Sequence, residues 1–388
     1  MLRTLSRTRS HPLPKRNSHR QTFILVTAIN SPAYRQPKQS ASKFRIPTEI
    51  LDKIVEFAIL TPSPASNVDP FPYIASFSLA SHAFRQIALR RYLHHVVIRS
   101  RMHWDWLFRV ISGQDSRTKG KGGSIDIQIF ISKSSFLAFD LARLSTLTHL
   151  RELSMNLETE GLHTQHVFVT TMFKHLLTST SNCSSSLVKL VLTSIPRIDI
   201  SLLALIAKSL PLLSILHITA TDQVDDYDWI NGELCWCCID DVLDCSFHSA
   251  IPEMFATPEA MATECATALL PLTNLRSLLL GVYLSDEGLR WKHILNCVQA
   301  SAPPHLALED CVSCYETYGL AVRHREEVAS NIIASRLPSL EIISWHSYFN
   351  EVPSEGEVGL RRARKDEYVR RVNFEVSKDR KATRMVTT

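Results

Sequence analysis

The sequence predicts an α/β fold in which short strands alternate with helices and stack into an irregular, curved solenoid, preceded by a small all-α domain. One leucine-rich phrase recurs five times, and each copy suits a turn followed by a short strand. Segments with helical character lie between the copies. One strand and one helix cannot enclose a core alone, so each unit has to stack on its neighbours.

The composition is that of a globular chain with a substantial core. The 388 residues are 45% hydrophobic and include only 11 glycines, which argues against glycine-rich nucleotide-binding folds. Basic residues concentrate near the two ends, and the body between them carries about ten more acidic than basic residues. Because phosphate binding requires clustered cations, we expect no nucleic-acid partner.

Residues 1–43 contain no acidic residue and are predicted to be a disordered basic leader. Their Arg- and Ser-rich start is also typical of a transit peptide, but Pro12 and Pro14 would interrupt the amphipathic helix that such a peptide needs. The apolar run at 23–29 is far shorter than the roughly 20 residues that span a bilayer, so we expect no membrane partner.

Residues 44–95 are predicted to form a small helical domain, with two helical stretches around a Pro/Ser-rich insert at 61–72. Pro47 suits a first helical turn because its missing N–H would be unpaired there, and Glu49 favours the positive end of the helix dipole. The first helix carries apolar residues on one side, at Ile46, Ile50, Leu51, Ile54 and Val55. A second apolar face comes from Leu79, Phe84, Ile87 and Ala88.

Residues 96–350 are predicted to hold the solenoid, with an insertion near 220–258 and a basic tail at 351–388. The recurring phrase follows the frame L-x-x-L-x-x-L-x-L-x-L, in which the last apolar positions alternate with polar ones as in a half-buried strand. Its copies begin at Leu147, Leu187, Leu210, Leu272 and Leu337. Two earlier strands are predicted at 94–98 and 124–131, and helices are predicted at 102–113, 164–177, 199–210, 258–270, 286–299 and 324–337.

The helical domain resembles an F-box, and the body resembles leucine-rich repeats, a known pairing in proteins of fungal type. The F-box pattern has a leading Leu-Pro, an acidic residue, apolar residues at helical spacing and a later Val-Cys/Ser-x-x-Trp/Phe-Arg segment. The matching residues here are Ile46, Pro47, Glu49, Ile50, Leu51, Ile54, Ala80, Ser81, Phe84 and Arg85. The sequence departs from the pattern in Ile46, in Ala80 and in the longer insert between the two halves.

The resemblance implies a substrate-recognition adaptor of a Skp–cullin–F-box type ubiquitin ligase. In that family the F-box helices bind a Skp-type adaptor, and through it a cullin, while the repeats bind a protein substrate. The partner-binding residues that it implies are Ile46, Pro47, Ile50, Leu51, Ile54, Val55, Leu79 and Phe84. The alternative is a leucine-rich scaffold that joins no ligase, in which the first helices cap the end of the solenoid.

No catalytic or cofactor site is predicted, because the sequence lacks a phosphate loop, an H-E-x-x-H and a G-x-S-x-G motif. An enzyme hidden in the long insertion is the remaining alternative. Nine irregularly spaced cysteines without a secretory signal indicate a reducing compartment, the cytoplasm or the nucleus. Cys311 and Cys314 have zinc-knuckle spacing and are flanked by His305 and His324, and a second cluster contains Cys235, Cys237, Cys238 and Cys245. Free thiols are the favoured interpretation, so no metal site is predicted.

Overall fold

The computed structural model describes residues 46–60, 71–111, 127–132, 141–147, 149–157, 162–178, 187–195, 197–220, 255–285, 289–293, 297, 311–349 and 371–385. The predicted leader, the first ten residues of the Pro/Ser insert and most of the predicted insertion near 220–258 lie outside these ranges. The chain divides into two units, Met1–Pro47 and Thr48–Thr388. Ile46 and Pro47 are the described residues of the first unit, and the architecture below is that of the second.

The second unit begins with three helices, α1 (Thr48–Leu60), α2 (Phe71–Ala80) and α3 (His82–His94). The sequence predicted two helical stretches here, and α2 corrects that prediction. Pro72 falls in the first turn of α2, where proline is tolerated. Ser81 then separates α2 from α3, because its extended backbone and its Oγ, which accepts the N–H of Phe84 at 3.1 Å, form an N-cap.

The three helices, which we call the helical head, have a hydrophobic core of their own. Each helix contributes buried apolar side chains to it, and Phe77 and Phe84 stack beside them with ring centroids 4.6 Å apart. The buried residues are Leu51, Val55, Ile74, Ile87 and Ala88. The head therefore has internal packing that does not depend on a partner.

A nine-stranded sheet follows, and its strands lie in the order of the sequence. The strands are β1 (His95–Ile98), β2 (Ile129–Ser132), β3 (Glu152–Asn156), β4 (Lys189–Ile195), β5 (Ile215–Ala220), β6 (Ser277–Tyr283), β7 (Ile342–His346), β8 (Arg371–Val376) and β9 (Ala382–Arg384). Strands β1 to β7 are parallel, and β8 and β9 continue the sheet in antiparallel pairing. The predicted mixed α/β class is confirmed.

Helices between the strands pack on one another in the same order. The helices are α4 (Arg101–Ile111), α5 (Leu162–Thr178), α6 (Ile200–Ser209), α7 (Pro258–Leu269), α8 (Leu289–His293), α9 (Val312–Cys314) and α10 (Leu320–Arg336). Of these, α5 contacts α6, α6 contacts α7, and α7 contacts α10, so these four form one layer. A 3-10 turn at Leu141–Thr146 precedes β3, and a π-helical turn at Tyr315–Gly319 joins α9 to α10.

The leucine phrase has a common structure before three of the strands, β5, β6 and β7. The N–H of one leucine donates to the carbonyl of the leucine three residues earlier, which turns the chain into the strand that follows. These bonds are Leu213 to Leu210 at 3.1 Å, Leu275 to Leu272 at 3.1 Å and Leu340 to Leu337 at 3.3 Å. All five copies of the phrase fall at β3 to β7, and their apolar positions are no more than 3% exposed.

The carboxyl-terminal part of the chain corrects another prediction. Residues 351–388 were predicted to be a basic tail, but β8 and β9 lie within this segment and extend the sheet beyond β7. Within this highly charged segment every second residue of β8 is apolar and buried, since Val372 is 3% exposed and Phe374 is 0% exposed. Alternate apolar residues are sufficient for a strand with one buried face.

The predicted helices at 102–113, 164–177, 199–210, 258–270 and 324–337 coincide with α4, α5, α6, α7 and α10. Strand β2 is shorter than its alternating isoleucines predict, because the ladder to β1 and β3 begins at Ile129. Among the described helices, none combines the length and the apolar character required to cross a bilayer.

Candidate functional site

Helix α1 has apolar side chains on two neighbouring faces. On the inner face Val55 is 1% exposed and Leu51 is 9% exposed, because both face the core of the helical head. On the neighbouring outer face Ile50 and Ile54 are each 51% exposed and Phe57 is 70% exposed. The spacing of four and then three residues places these last three on one face of the helix, which we call the α1 stripe.

Five of the eight predicted partner-binding residues are exposed. Ile50 and Ile54 belong to the α1 stripe, and Leu79 near the end of α2 is 62% exposed. Ile46 and Pro47, in the first unit, are also exposed. The α1 stripe contains a further residue, Phe57, that the sequence analysis missed, although its position seven residues after Ile50 continues the same helical face.

The other three predicted partner-binding residues pack inside the helical head. Leu51 and Val55 lie in the core of the helical head, which corrects their assignment to a partner surface. Phe84 is half-buried and stacks on Phe77 with an interplanar angle of 4°. Helical periodicity identified the apolar residues of α1, but it does not distinguish the side that faces the domain core from the side that faces outwards.

A charged network holds α1 against α3. Asp52 on α1 accepts a hydrogen bond from Nη2 of Arg90 at 2.9 Å and another from Arg91. Nη2 of Arg91 also lies 3.7 Å from the carboxylate of Glu56. The hydrogen bond from Arg91 is the main reason that the pKa of Asp52 falls to about 2, so this carboxylate is ionised at neutral pH. The network fixes the rotation of α1 and therefore the outward direction of the α1 stripe.

A second candidate site lies beyond β6, where one histidine and three cysteines converge. The site comprises His293 at the end of α8, Cys297, Cys311 at the N-cap of α9 and Cys314 at the end of α9, and we call it the Cys/His cluster. Its potential ligand atoms all lie within 4.8 Å of one another. Nδ1 of His293 is 3.3 Å from Sγ of Cys314, and Sγ of Cys297 is 3.6 Å from the same sulfur.

The Cys/His cluster is enclosed by a small hydrophobic core. The side chains of Tyr283, Leu289, Val322, Tyr348 and Phe349 surround it, and Tyr315 and Tyr318 pack beside them. His293, Cys311 and Cys314 are 3–4% exposed, and Cys297 is half-buried. This burial raises the pKa of the Cys314 and Cys297 thiols, so both are neutral at pH 7 when no cation is bound.

The sequence analysis found half of the Cys/His cluster. It singled out Cys311 and Cys314 but paired them with His305 and His324. His305 lies outside the described residues, as do Cys235, Cys237, Cys238 and Cys245. His324 is exposed and lies beside Thr257 and Glu259, at the start of α7. The missed signal was the spacing of His293 and Cys297, because residues four apart share a helix face.

The described part of the chain contains no constellation that we recognise as catalytic. The exposed α1 stripe has the character of a docking surface, and the Cys/His cluster has the donor set of a structural metal centre. A comparison of the chain with protein-family models, with curated proteins and with solved structures finds no match to any of them.

Proposed function

We propose that this chain is the substrate-recognition adaptor of a Skp–cullin–F-box type ubiquitin ligase. The helical head docks a Skp-type adaptor, the sheet region binds a protein target, and the chain itself performs no catalysis. The observation that carries the proposal is the α1 stripe. Ile50, Ile54 and Phe57 remain 51–70% exposed on a helix whose other side already packs in the core of the head.

The stripe suits a helix that lies in an apolar groove of another protein. Burying one large aliphatic or aromatic side chain stabilises a complex by about 1.5–3 kcal/mol before the costs of association, so three such residues supply a substantial share of a binding energy. Anchors at i, i+4 and i+7 are typical of helix-in-groove recognition. Ile50 and Ile54 are also positions that match the F-box pattern, so the resemblance and the exposure select the same residues.

The sheet region supports an irregular leucine-rich-repeat solenoid as the target-binding part. Its parallel strands follow one another in sequence order, and three of them are preceded by the same leucine turn. On the face turned away from the buried leucines the strands carry polar side chains, such as Lys189 and Glu152 with Nζ and Oε2 3.0 Å apart. Exposed polar and charged side chains on strands are suited to specific binding of a protein surface through hydrogen bonds and ion pairs.

A second candidate function is that of a scaffold that joins no ligase, with the head as an end cap. One observation favours it. Helix α3 ends at His94 and β1 begins at His95, so the head continues directly into the sheet. Tyr92 packs against both the core of the head and the core of the sheet region. An end unit of a stacked fold needs such a cover for its apolar edge.

Co-purification distinguishes the two candidates. We expect a purified Skp-type adaptor to bind the full chain, and we expect Ile50→Asp and Ile54→Asp each to abolish binding because they place a carboxylate in the apolar contact. The matched control is Val167→Asp on α5, a residue 67% exposed outside the head, which should leave binding unchanged. Absence of the adaptor from the wild-type chain would favour the scaffold function.

The variants have to be shown to be folded. Circular dichroism of Ile50→Asp and Ile54→Asp should match that of the wild-type chain, since both side chains are half exposed. Leu51→Asp, by contrast, introduces a charge into the core of the head and should lose both folding of the head and adaptor binding. If the two surface variants bind as well as the wild type, the α1 stripe is not the docking surface.

A further inference from the structure

We propose that His293, Cys297, Cys311 and Cys314 bind one Zn²⁺ ion as a closed structural site. The proposal is independent of the docking function of the head, because the four residues belong to the region around α8 and α9. Three thiolates and one imidazole are a common donor set for structural zinc. Soft sulfur donors also select against Mg²⁺ and Ca²⁺, which prefer oxygen ligands.

The distances fit tetrahedral coordination. With Zn–S bonds of about 2.3 Å and a Zn–N bond of about 2.0 Å, tetrahedral geometry separates two sulfurs by about 3.8 Å and a sulfur from the nitrogen by about 3.5 Å. The chain places Sγ of Cys297 3.6 Å from Sγ of Cys314, and Nδ1 of His293 3.3 Å from Sγ of Cys314. All other ligand pairs lie within 4.8 Å, so small side-chain rotations complete the tetrahedron.

The spacing in the sequence also fits a zinc site. Cys311 and Cys314 form a C-x-x-C pair whose second member lies in the first turn of a helical run. His293 and Cys297 form a second pair, separated by three residues. Two short-range pairs that converge from separate segments are the usual construction of a four-ligand zinc site, because each pair fixes two ligands locally.

The surroundings favour an ion that stays bound. The site has four protein ligands and hence no open position for substrate, and its apolar enclosure limits the access of water. A centre with three thiolates and one imidazole carries a net charge of about −1. Two cations lie close to the enclosure, since Lys292 is 5.6 Å from the ring centroid of Tyr318 and Arg323 is 5.0 Å from that of Tyr315.

A disulfide is the competing chemistry for this group of thiols. Cys297 and Cys314 are the closest measured pair, but their 3.6 Å separation exceeds the bond length of about 2.05 Å. A bond between them would also leave Cys311 and His293 without a role in the cluster. The convergence of four donors on one small volume is accounted for by a cation at its centre.

The test is the metal content of the full chain purified from cells grown with added Zn²⁺. Mass spectrometry of the elements should find about one zinc per chain, in line with one four-ligand site. Cys314→Ser and His293→Gln should lose the bound zinc. The matched control is Cys265→Ala, because Cys265 is also a buried free cysteine but lies on α7, and this variant should keep its zinc.

A second measurement on the wild-type chain avoids variants that fail to fold. Replacing the metal with Co²⁺ should give the intense visible absorption of a tetrahedral, thiolate-rich site. Alkylation followed by peptide mapping should find Cys297, Cys311 and Cys314 protected in the loaded chain and reactive after chelation, with Cys265 unchanged. Background zinc with no tetrahedral Co²⁺ spectrum would overturn the proposal, and so would a Cys297–Cys314 disulfide in the chain purified under reducing conditions.

Discussion

Glu326 and Arg384 form a buried ion pair in which Nη1 of the arginine lies 3.1 Å from Oε2 of the glutamate. The Glu326 side chain has no exposed surface, and that of Arg384 is 16% exposed. Arg384 also donates from Nη2 to the carbonyl of Phe349 at 2.9 Å. The pair therefore joins the last strand, β9, to helix α10 and to the segment that follows β7.

The burial of Glu326, which outweighs the opposing effect of Arg384 on its pKa, predicts a loss of stability as the pH rises. Burial raises the pKa of Glu326 to about 7 from an ordinary value of 4.5, so the folded chain holds the proton at pH values where the unfolded chain has released it. This contribution is fully present below about pH 4.5 and is lost as the pH rises through 7. It amounts to at most about 3.5 kcal/mol in the free energy of unfolding.

Urea unfolding of Glu326→Gln at pH 5 and pH 8 tests this prediction. The difference in unfolding free energy between the two pH values should be smaller in the variant than in the wild-type chain. Glu375→Gln on β8 is the control, because Glu375 is exposed and the same chemical change there should leave the difference unaltered. An equal pH dependence in the wild type and Glu326→Gln would contradict the assignment.

His217 on β5 predicts a dependence of the opposite sign. Burial lowers its pKa to about 4 from an ordinary 6.5, with smaller contributions from Arg371 and Lys189. The unfolded chain therefore takes up a proton that the folded chain resists, so this contribution is present above pH 6.5 and is lost as the pH falls towards 4. Its slope is at most about 1.4 kcal/mol per pH unit.

His217→Gln should flatten the stability profile between pH 6.5 and pH 4, while its side-chain amide can still bond Ser277, whose Oγ lies 3.3 Å from Nε2 of His217. Thermal unfolding followed by circular dichroism across this range provides the measurement. The same change at the exposed His324 should have little effect. A variant profile as steep as that of the wild type would exclude His217 as the source of acid sensitivity.

Gly281 on β6 should not tolerate a side chain. A Cβ atom there would lie 2.7 Å from the backbone Cα of Thr219 on β5, closer than any unstrained contact. We expect Gly281→Ala to reduce the unfolding free energy by about 2 kcal/mol or more, because two paired strands would have to separate. Gly319→Ala is the contrast, since its Cβ would meet the Tyr315 ring at 3.1 Å and the gain in helix propensity offsets a small ring shift. Similar losses in both variants of a denaturation experiment would argue against the close approach.

The two sides of α1 should respond differently to truncation. Val55→Ala removes buried methyl groups from the core of the head and should reduce its stability by about 2 kcal/mol. Ile54→Ala, at a position 51% exposed, should change stability by less than about 0.5 kcal/mol. The rate of tryptic cleavage within 48–94, followed by mass spectrometry, reports unfolding of the head. Equal cleavage rates in the two variants would show that the assignment of inner and outer sides is wrong.

Much of the fold could be predicted because its signal is local. The leucine phrase combines a turn with a strand inside one short segment, so Leu210, Leu213 and Leu216 identify β5 without knowledge of its neighbours. The strand β8 was missed because the many charges near it outweighed the alternation of Val372 and Phe374. Helix α2 was missed because the Pro/Ser-rich insert extends up to its first turn.

The sites were harder to predict because each depends on what packs against a residue. Leu51 and Ile50 are adjacent and similarly apolar, yet one faces the core of the head and the other is 51% exposed. The Cys/His cluster combines residues from both sides of a long gap in the sequence, and only the folded chain shows that His293, rather than His324, adjoins Cys314. The spacing of Cys and His residues in the sequence identifies local pairs of possible ligands, but only the folded structure shows which pairs lie next to each other.

The direct passage from α3 into β1 has a mechanical consequence. No linker separates the helical head from the sheet, and Tyr92 belongs to the packing of both, so the head has no hinge about which to swivel. The orientation of α1 relative to the strands is therefore set by this junction, and a change in the packing of Tyr92 would alter both parts together.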